Sequence, residues 1–101
     1  MANLPALVFP SVAGKLSALD ITTTTVVKTT GGIVRMVSVN TAGTGVGGVY
    51  DANTTAGAVA ANLAFAIPEA ATAGPQEWKW RCANGIVVVP PTGGSVSVTF
   101  D

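Results

Sequence analysis

Histidine is absent from this chain, and a single cysteine, Cys82, is present. The first absence removes both the commonest general base and the commonest metal ligand. The second rules out an intrachain disulfide and agrees with assembly in a reducing cytoplasm. Charge is scarce as well: charged residues make up 10% of 101, against roughly 25% in ordinary globular domains. Five basic and five acidic residues cancel to a formal net charge of zero, so no electrostatic footprint for nucleic acid is visible. No run of about 18 apolar residues occurs, so no membrane-spanning helix and no membrane partner is expected. The apolar start, Met1 to Pro10, lacks a positive leader region and is interrupted by Pro5 and Pro10, which argues against a secretory signal.

What is present is apolar and small. Hydrophobic residues make up 49% of the chain, with 12 glycines and 6 prolines. One domain of this size has a high surface-to-volume ratio, so much of its surface must consist of Ala, Val, Thr, Ser and Gly. A free monomer is better served by abundant mixed charge. Part of this surface is therefore expected to be covered by other subunits.

Period-two alternation dominates the pattern. Trp78, Trp80 and Cys82 alternate with Lys79 and Arg81, and Ala83-Asn84-Gly85 follows. Ile86 to Val89 comes next, then Pro90-Pro91-Thr92-Gly93-Gly94, then Val96, Val98 and Phe100 alternating with Ser95, Ser97 and Thr99. Such runs, bounded by Asn-Gly and Pro/Gly turns, predict an antiparallel meander with a type I′ turn at Asn84-Gly85. Upstream, the Thr/Val-rich stretch Ile21 to Thr30, a Gly31-Gly32 turn and Ile33 to Asn40 predict a first hairpin. There Ile33, Val37 and Val39 share one face with Arg35, and Val34, Met36 and Ser38 share the other. Val49-Tyr50-Asp51 and Leu63 to Ile67 are further short strands, while Ala56 to Asn62 is compatible with helix or strand. Residues 1–20 form an extended N-terminal arm and connector, with room for one turn over Lys15 to Asp20. The expected fold is all-β: a single antiparallel β-sandwich over 21–101, of jelly-roll or Greek-key type, with seven or eight strands.

Few residues offer chemistry. Gly43-Thr44-Gly45-Val46-Gly47-Gly48 formally satisfies GxGxxG, but the nucleotide-binding form needs a helix N-terminus after it, and Val49-Tyr50-Asp51 follows instead. It reads as a flexible hairpin loop. Cys82 shares a face with two tryptophans and reads as a buried structural thiol. No spacing singles out a catalytic pair among Asp20, Asp51, Glu69, Glu77 and Asp101. No enzyme, cofactor or metal site is expected. Trp78 and Trp80, between Lys79 and Arg81, read first as core-facing, then as an interface hot spot, then as a sugar-stacking surface. Ile86 to Val89 is apolar on both faces, which marks Val87 and Val89 as interface candidates.

The order Thr25-Val26-Val27-Lys28, a Gly-containing turn, Val34 to Val39, Val49-Tyr50-Asp51-Ala52, Leu63 to Pro68, Ala83 to Pro90 and Val96 to Phe100 resembles a family of small virion proteins of tailed bacteriophages and prophages. The resemblance covers residues 21–101. It implies a structural virion component on the capsid exterior, made in the host cytoplasm. Its partners would be the major capsid protein and its own copies, as dimer or trimer. A decoration or cement protein is the first reading. A tail or head-fibre component and a carbohydrate- or receptor-binding module are the alternatives. The family carries over no site residues. Contacts are expected from the arm, through Leu4, Leu7, Val8 and Phe9, which could add a strand to a neighbour, and from Val87, Val89, Trp78 and Trp80.

Overall fold

A computed structural model describes residues 16–69, 71–77 and 79–101. They form strands β1 (Leu16–Ile21), β2 (Thr25–Lys28), β3 (Gly32–Thr41), β4 (Gly47–Tyr50), β5 (Leu63–Ile67), β6 (Gly74–Gln76), β7 (Trp80–Cys82), β8 (Ile86–Val89) and β9 (Ser95–Phe100). Two 3₁₀ turns, Thr55–Gly57 and Ala60–Asn62, occupy the ambiguous segment before β5. The all-β class is borne out, as two antiparallel sheets. One has the order β1-β9-β3-β6, with β7 also paired to β3, and the other the order β2-β8-β4-β5.

The pairing within these sheets corrects both expected local hairpins. β2 pairs with β8 and β3 with β9, so the chain crosses between sheets at Gly31. In the last quarter, β7 pairs with β3, β8 with β2 and β4, and β9 with β1 and β3. No two of those three strands are neighbours, so there is no meander. Alternation and turn residues mark where strands begin and stop, but each short loop here carries the chain to the opposite sheet.

The Asn84-Gly85 turn is likewise not the expected type I′. That turn needs positive φ at both central residues, and Asp20 is the only non-glycine with positive φ among the described residues. Gly85 has a different reason for being glycine. A Cβ there would lie 2.4 Å from the Ala52 carbonyl oxygen and 2.7 Å from that of Lys28. The β7–β8 loop threads between the backbone at the end of β2 and that just after β4.

Both sheets supply one hydrophobic core. Ile21, Val34, Val37, Val39, Cys82, Val96, Val98 and Phe100 come from the first, and Val49, Ile67, Ile86 and Val88 from the second. Val34 joins Val37 and Val39 because the register shifts between Val34 and Met36. A bulge adds one residue and reverses the in-out phase beyond it, which corrects the facing expected for β3. A second bulge lies in β1, between Ala18 and Ile21. There Asp20 takes a left-handed φ of 53°, which Asp tolerates better than most residues. Its N–H donates to Ser97 Oγ at 3.0 Å. Ala18 and Ile21 both reach the core, and Leu19 is left 73% exposed. Leu16–Ile21 is thus a strand, at the edge of its sheet among the described residues, where a connector with room for one turn was expected.

Candidate functional site

Of the expected contact residues, Leu4, Leu7, Val8, Phe9 and Trp78 lie outside the described residues. The other three are distributed unevenly. Val87 is fully buried, aligned with Val26 on one side and Tyr50 on the other. It stands outside the shared core, on the face where Tyr50 and Leu63 close over Gly48, whose Cβ would lie 3.2 and 2.9 Å from them. The strand apolar on both faces is thus covered by its own chain, and Val87 has no surface left for a partner. Val89 is half-buried. Trp80 shares the parity of Cys82, yet it is 50% exposed while Cys82 is buried. It opens the short strand β7, which among the described residues pairs only with β3, so its ring lies at the margin of the sheet. The core-facing reading of Trp80 is corrected; a half-exposed indole stands in its place.

Other large apolar groups in solvent are Leu16, Leu19, Val46, Val59 and Leu63. Leu16 and Leu19 both belong to β1, which pairs on one side only among the described residues. On the outward face of the first sheet, Leu19, Met36, Ser38, Asn40, Ser97 and Thr99 line a groove of about 290 Å³. The outward pattern of β9 was legible in the sequence. The exposure of Leu19 was hidden by the bulge beside it.

Polar organisation is concentrated at one end of the molecule. Arg35 Nε donates to Asp101 Oδ2 at 2.8 Å, and Arg35 Nη2 is 2.7 Å from the same oxygen. Lys28 Nζ donates to a main-chain oxygen of Asp101 at 2.9 Å, tying the end of β2 to the residue after β9 across the two sheets. Asp51 receives the backbone N–H groups of Ala83 at 3.0 Å and Asn84 at 2.7 Å. Burial pushes its carboxyl up, but hydrogen bonds from the Asn84, Ala83 and Gly85 backbone and the Asn84 side chain outweigh this and hold it below the usual value of 3.8. A lowered folded-state pKa means stability that is present above pH 3.8 and lost as the pH falls through the folded value. Asp51 is a loop anchor.

Cys82 was expected as a buried structural thiol, and the geometry agrees. Burial, and secondarily the Asp51 charge, push the thiol up to about 11. At neutral pH it remains the protonated, poorly nucleophilic form. The stability this contributes is complete below the unfolded value near 9.0 and is lost as the pH rises towards 11. The GxGxxG loop is not a free hairpin loop: it joins strands of different sheets, and the Thr44 N–H donates to the Thr92 carbonyl at 2.8 Å. No group of three or more Cys, Asp or Glu placed to hold a metal ion occurs among the described residues.

No family model, curated protein or solved structure matches the chain.

Proposed function

We propose that this chain is a structural component of a tailed-bacteriophage virion, and within that class a decoration or cement protein that binds the assembled shell. The observation that carries the reading is the surface. Leu16, Leu19, Val46, Val59, Leu63 and Trp80 are exposed on a chain in which charged residues make up only 10%. Single exposed leucines are ordinary; six large apolar groups in solvent among the described residues of a chain of 101, with so little charge to keep a monomer soluble, suit a module that is covered in its working state.

Strand order supports the same reading at a coarser level. The sheet orders β1-β9-β3-β6 and β2-β8-β4-β5, traced in chain order, support reading the fold as two interlocked Greek keys, the jelly-roll form of β-sandwich. That architecture is shared by viral capsid and lectin domains, so it narrows the function without selecting one. The partners on this reading are the major capsid protein and further copies of the chain, as dimer or trimer, on the capsid exterior. Neither nucleic acid nor membrane nor cofactor is involved, and no reaction is catalysed. Binding only the assembled lattice stabilises it by mass action, by RT ln(1 + [L]/Kd) per site. The segment before β1 would supply Leu4, Leu7, Val8 and Phe9 to that contact, as an added strand or in a groove.

Half-exposed Trp80 favours a second reading, a carbohydrate- or receptor-binding module that stacks a sugar ring on the indole. Cryo-EM of particles purified from cells making the chain separates these. Many copies spread over the shell are expected; a few copies at one vertex would indicate a tail or fibre component, and particles free of the chain would overturn the virion reading. Quenching of Trp fluorescence by glycans, without particle binding, would favour the second.

A further inference from the structure

The loop between β7 and β8 carries a chemically reactive pair. Asn84 is exposed, and Gly85 after it is buried. Asparagine is among the thermolabile residues, and a following glycine makes it more so. With no Cβ in the way, the next backbone nitrogen can attack the side-chain amide carbon. In that step a bond forms between Gly85 N and Asn84 Cγ, and the Cγ–Nδ2 bond breaks. The Gly85 amide proton passes through solvent to the departing nitrogen, which leaves as ammonia. Water then opens the cyclic imide at one carbonyl or the other, giving aspartate or isoaspartate at position 84. Water is the only co-reactant.

Both reacting groups are held by one carboxylate. Asp51 Oδ1 accepts the Asn84 N–H at 2.7 Å, and Oδ2 accepts the Ala83 N–H at 3.0 Å. The same carboxylate receives the Gly85 N–H and the Asn84 side-chain amide. These hydrogen bonds stabilise its ionised form, so it is a weak base towards an amide proton. Gly85 is confined as well: a Cβ there would lie 2.4 Å from the Ala52 carbonyl oxygen and 2.7 Å from that of Lys28. Little room is left for the rotation that brings Gly85 N over Asn84 Cγ.

We propose that Asn84-Gly85 is a latent self-modification site, held shut by the Asp51 carboxylate and released when the loop leaves it. After the reaction the loop cannot return to its clamp. A carboxylate at position 84 has no proton to donate to Asp51, and two like charges then face each other. Isoaspartate in addition lengthens the backbone of a loop threaded between two carbonyl oxygens. The site therefore records opening of the loop irreversibly. The inference does not depend on the virion reading, and either can fail without the other.

Peptide mass spectrometry that follows the conversion of Asn84 in the full chain, incubated at mildly alkaline pH, tests it. Conversion in the native chain is expected to be about tenfold slower, or more, than in the same chain unfolded in guanidinium chloride. That factor corresponds to one hydrogen bond to a charged group. Asp51→Ala, with its fold checked by circular dichroism, should approach the unfolded rate. Asp51→Asn keeps the side-chain shape and one acceptor oxygen, and an intermediate rate is expected. Native conversion as fast as unfolded, or an unchanged rate in either folded variant, would overturn the proposal. If neither variant folds, hydrogen exchange at the Gly85 amide of the parent chain decides. Protection comparable with that of the β8 amides is expected, and exchange at the unfolded rate would overturn it. The converted chain, separated by its added negative charge, should unfold at a lower urea midpoint than the parent. An equal midpoint would refute the irreversible release.

Discussion

Thr99 carries a buried side-chain oxygen with no hydrogen-bond partner among the described residues. It sits on β9 between Ser17 and Met36 in register, on the outward face of the first sheet. A hydroxyl withdrawn from water without a partner costs free energy that an apolar group of the same shape does not. Thr99→Val keeps the β-branch and removes the orphan, so it is expected to stabilise the fold by about 1 kcal/mol. Urea unfolding checks this: the midpoint should move up with the slope unchanged, and an unchanged or lowered midpoint would refute it. At the same scale, Cys82 and Asp51 show how environment decides what a residue can do. One thiol, buried and close to a carboxylate, becomes inert, and one carboxylate, held by backbone N–H groups, becomes a loop anchor.

Among the elements, the β7–β8 loop is tightly confined, because Gly85 passes between the backbones at Ala52 and Lys28. Carbonyl oxygens cannot rotate aside as a flexible side chain can. Gly85→Ala is therefore expected to destabilise by about 3 kcal/mol, the upper range for overpacking a filled site. Thermal or urea unfolding would measure it, and a loss below about 0.5 kcal/mol, typical of an unconstrained surface position, would contradict the threading described. This loop also shows how far the sequence could be read. Strands such as Ile86–Val89 and Ser95–Phe100 were legible because alternation and turn residues are local properties. Their partners were not, because a short Gly-rich loop joins neighbours in one sheet or crosses to the other with the same residues. The bulges at Arg35 and Asp20 were equally hidden, since each depends on the partner strand. The polar end was invisible for the same reason: Lys28 and Asp101 are far apart along the chain and meet only where β2 and β9 end together.

At the scale of the whole molecule, the question is what covers the apolar surface. β1 offers Leu16 and Leu19 on a strand whose outer edge is unpaired among the described residues, and such an edge is a template for another chain. Both side chains are largely in solvent, so Leu16→Lys with Leu19→Lys should leave the fold intact. Light scattering is expected to show the parent chain self-associated and the double variant shifted towards monomer. A parent chain that is monomeric at every concentration would exclude this edge as a self-association surface. The strand order has a different consequence for how the molecule comes into being. β9 lies between β1 and β3 at the centre of its sheet, and its bond from Asp20 to Ser97 joins residues 77 positions apart. β3 can pair with β6 and β7 earlier, but β1 cannot join the first sheet until residues 95–100 have been synthesised, and pairings this remote carry a large loop-closure cost. The chain should therefore fold after rather than during translation, on the millisecond-to-second scale of non-local β topologies. Until then the core-facing Ile86 and Val88 lack the β9 side chains they pack with, in an uncharged β-branched segment of the kind most prone to aggregate. A chain cut short before Ser95 would leave β1 and β3 without the strand that joins them.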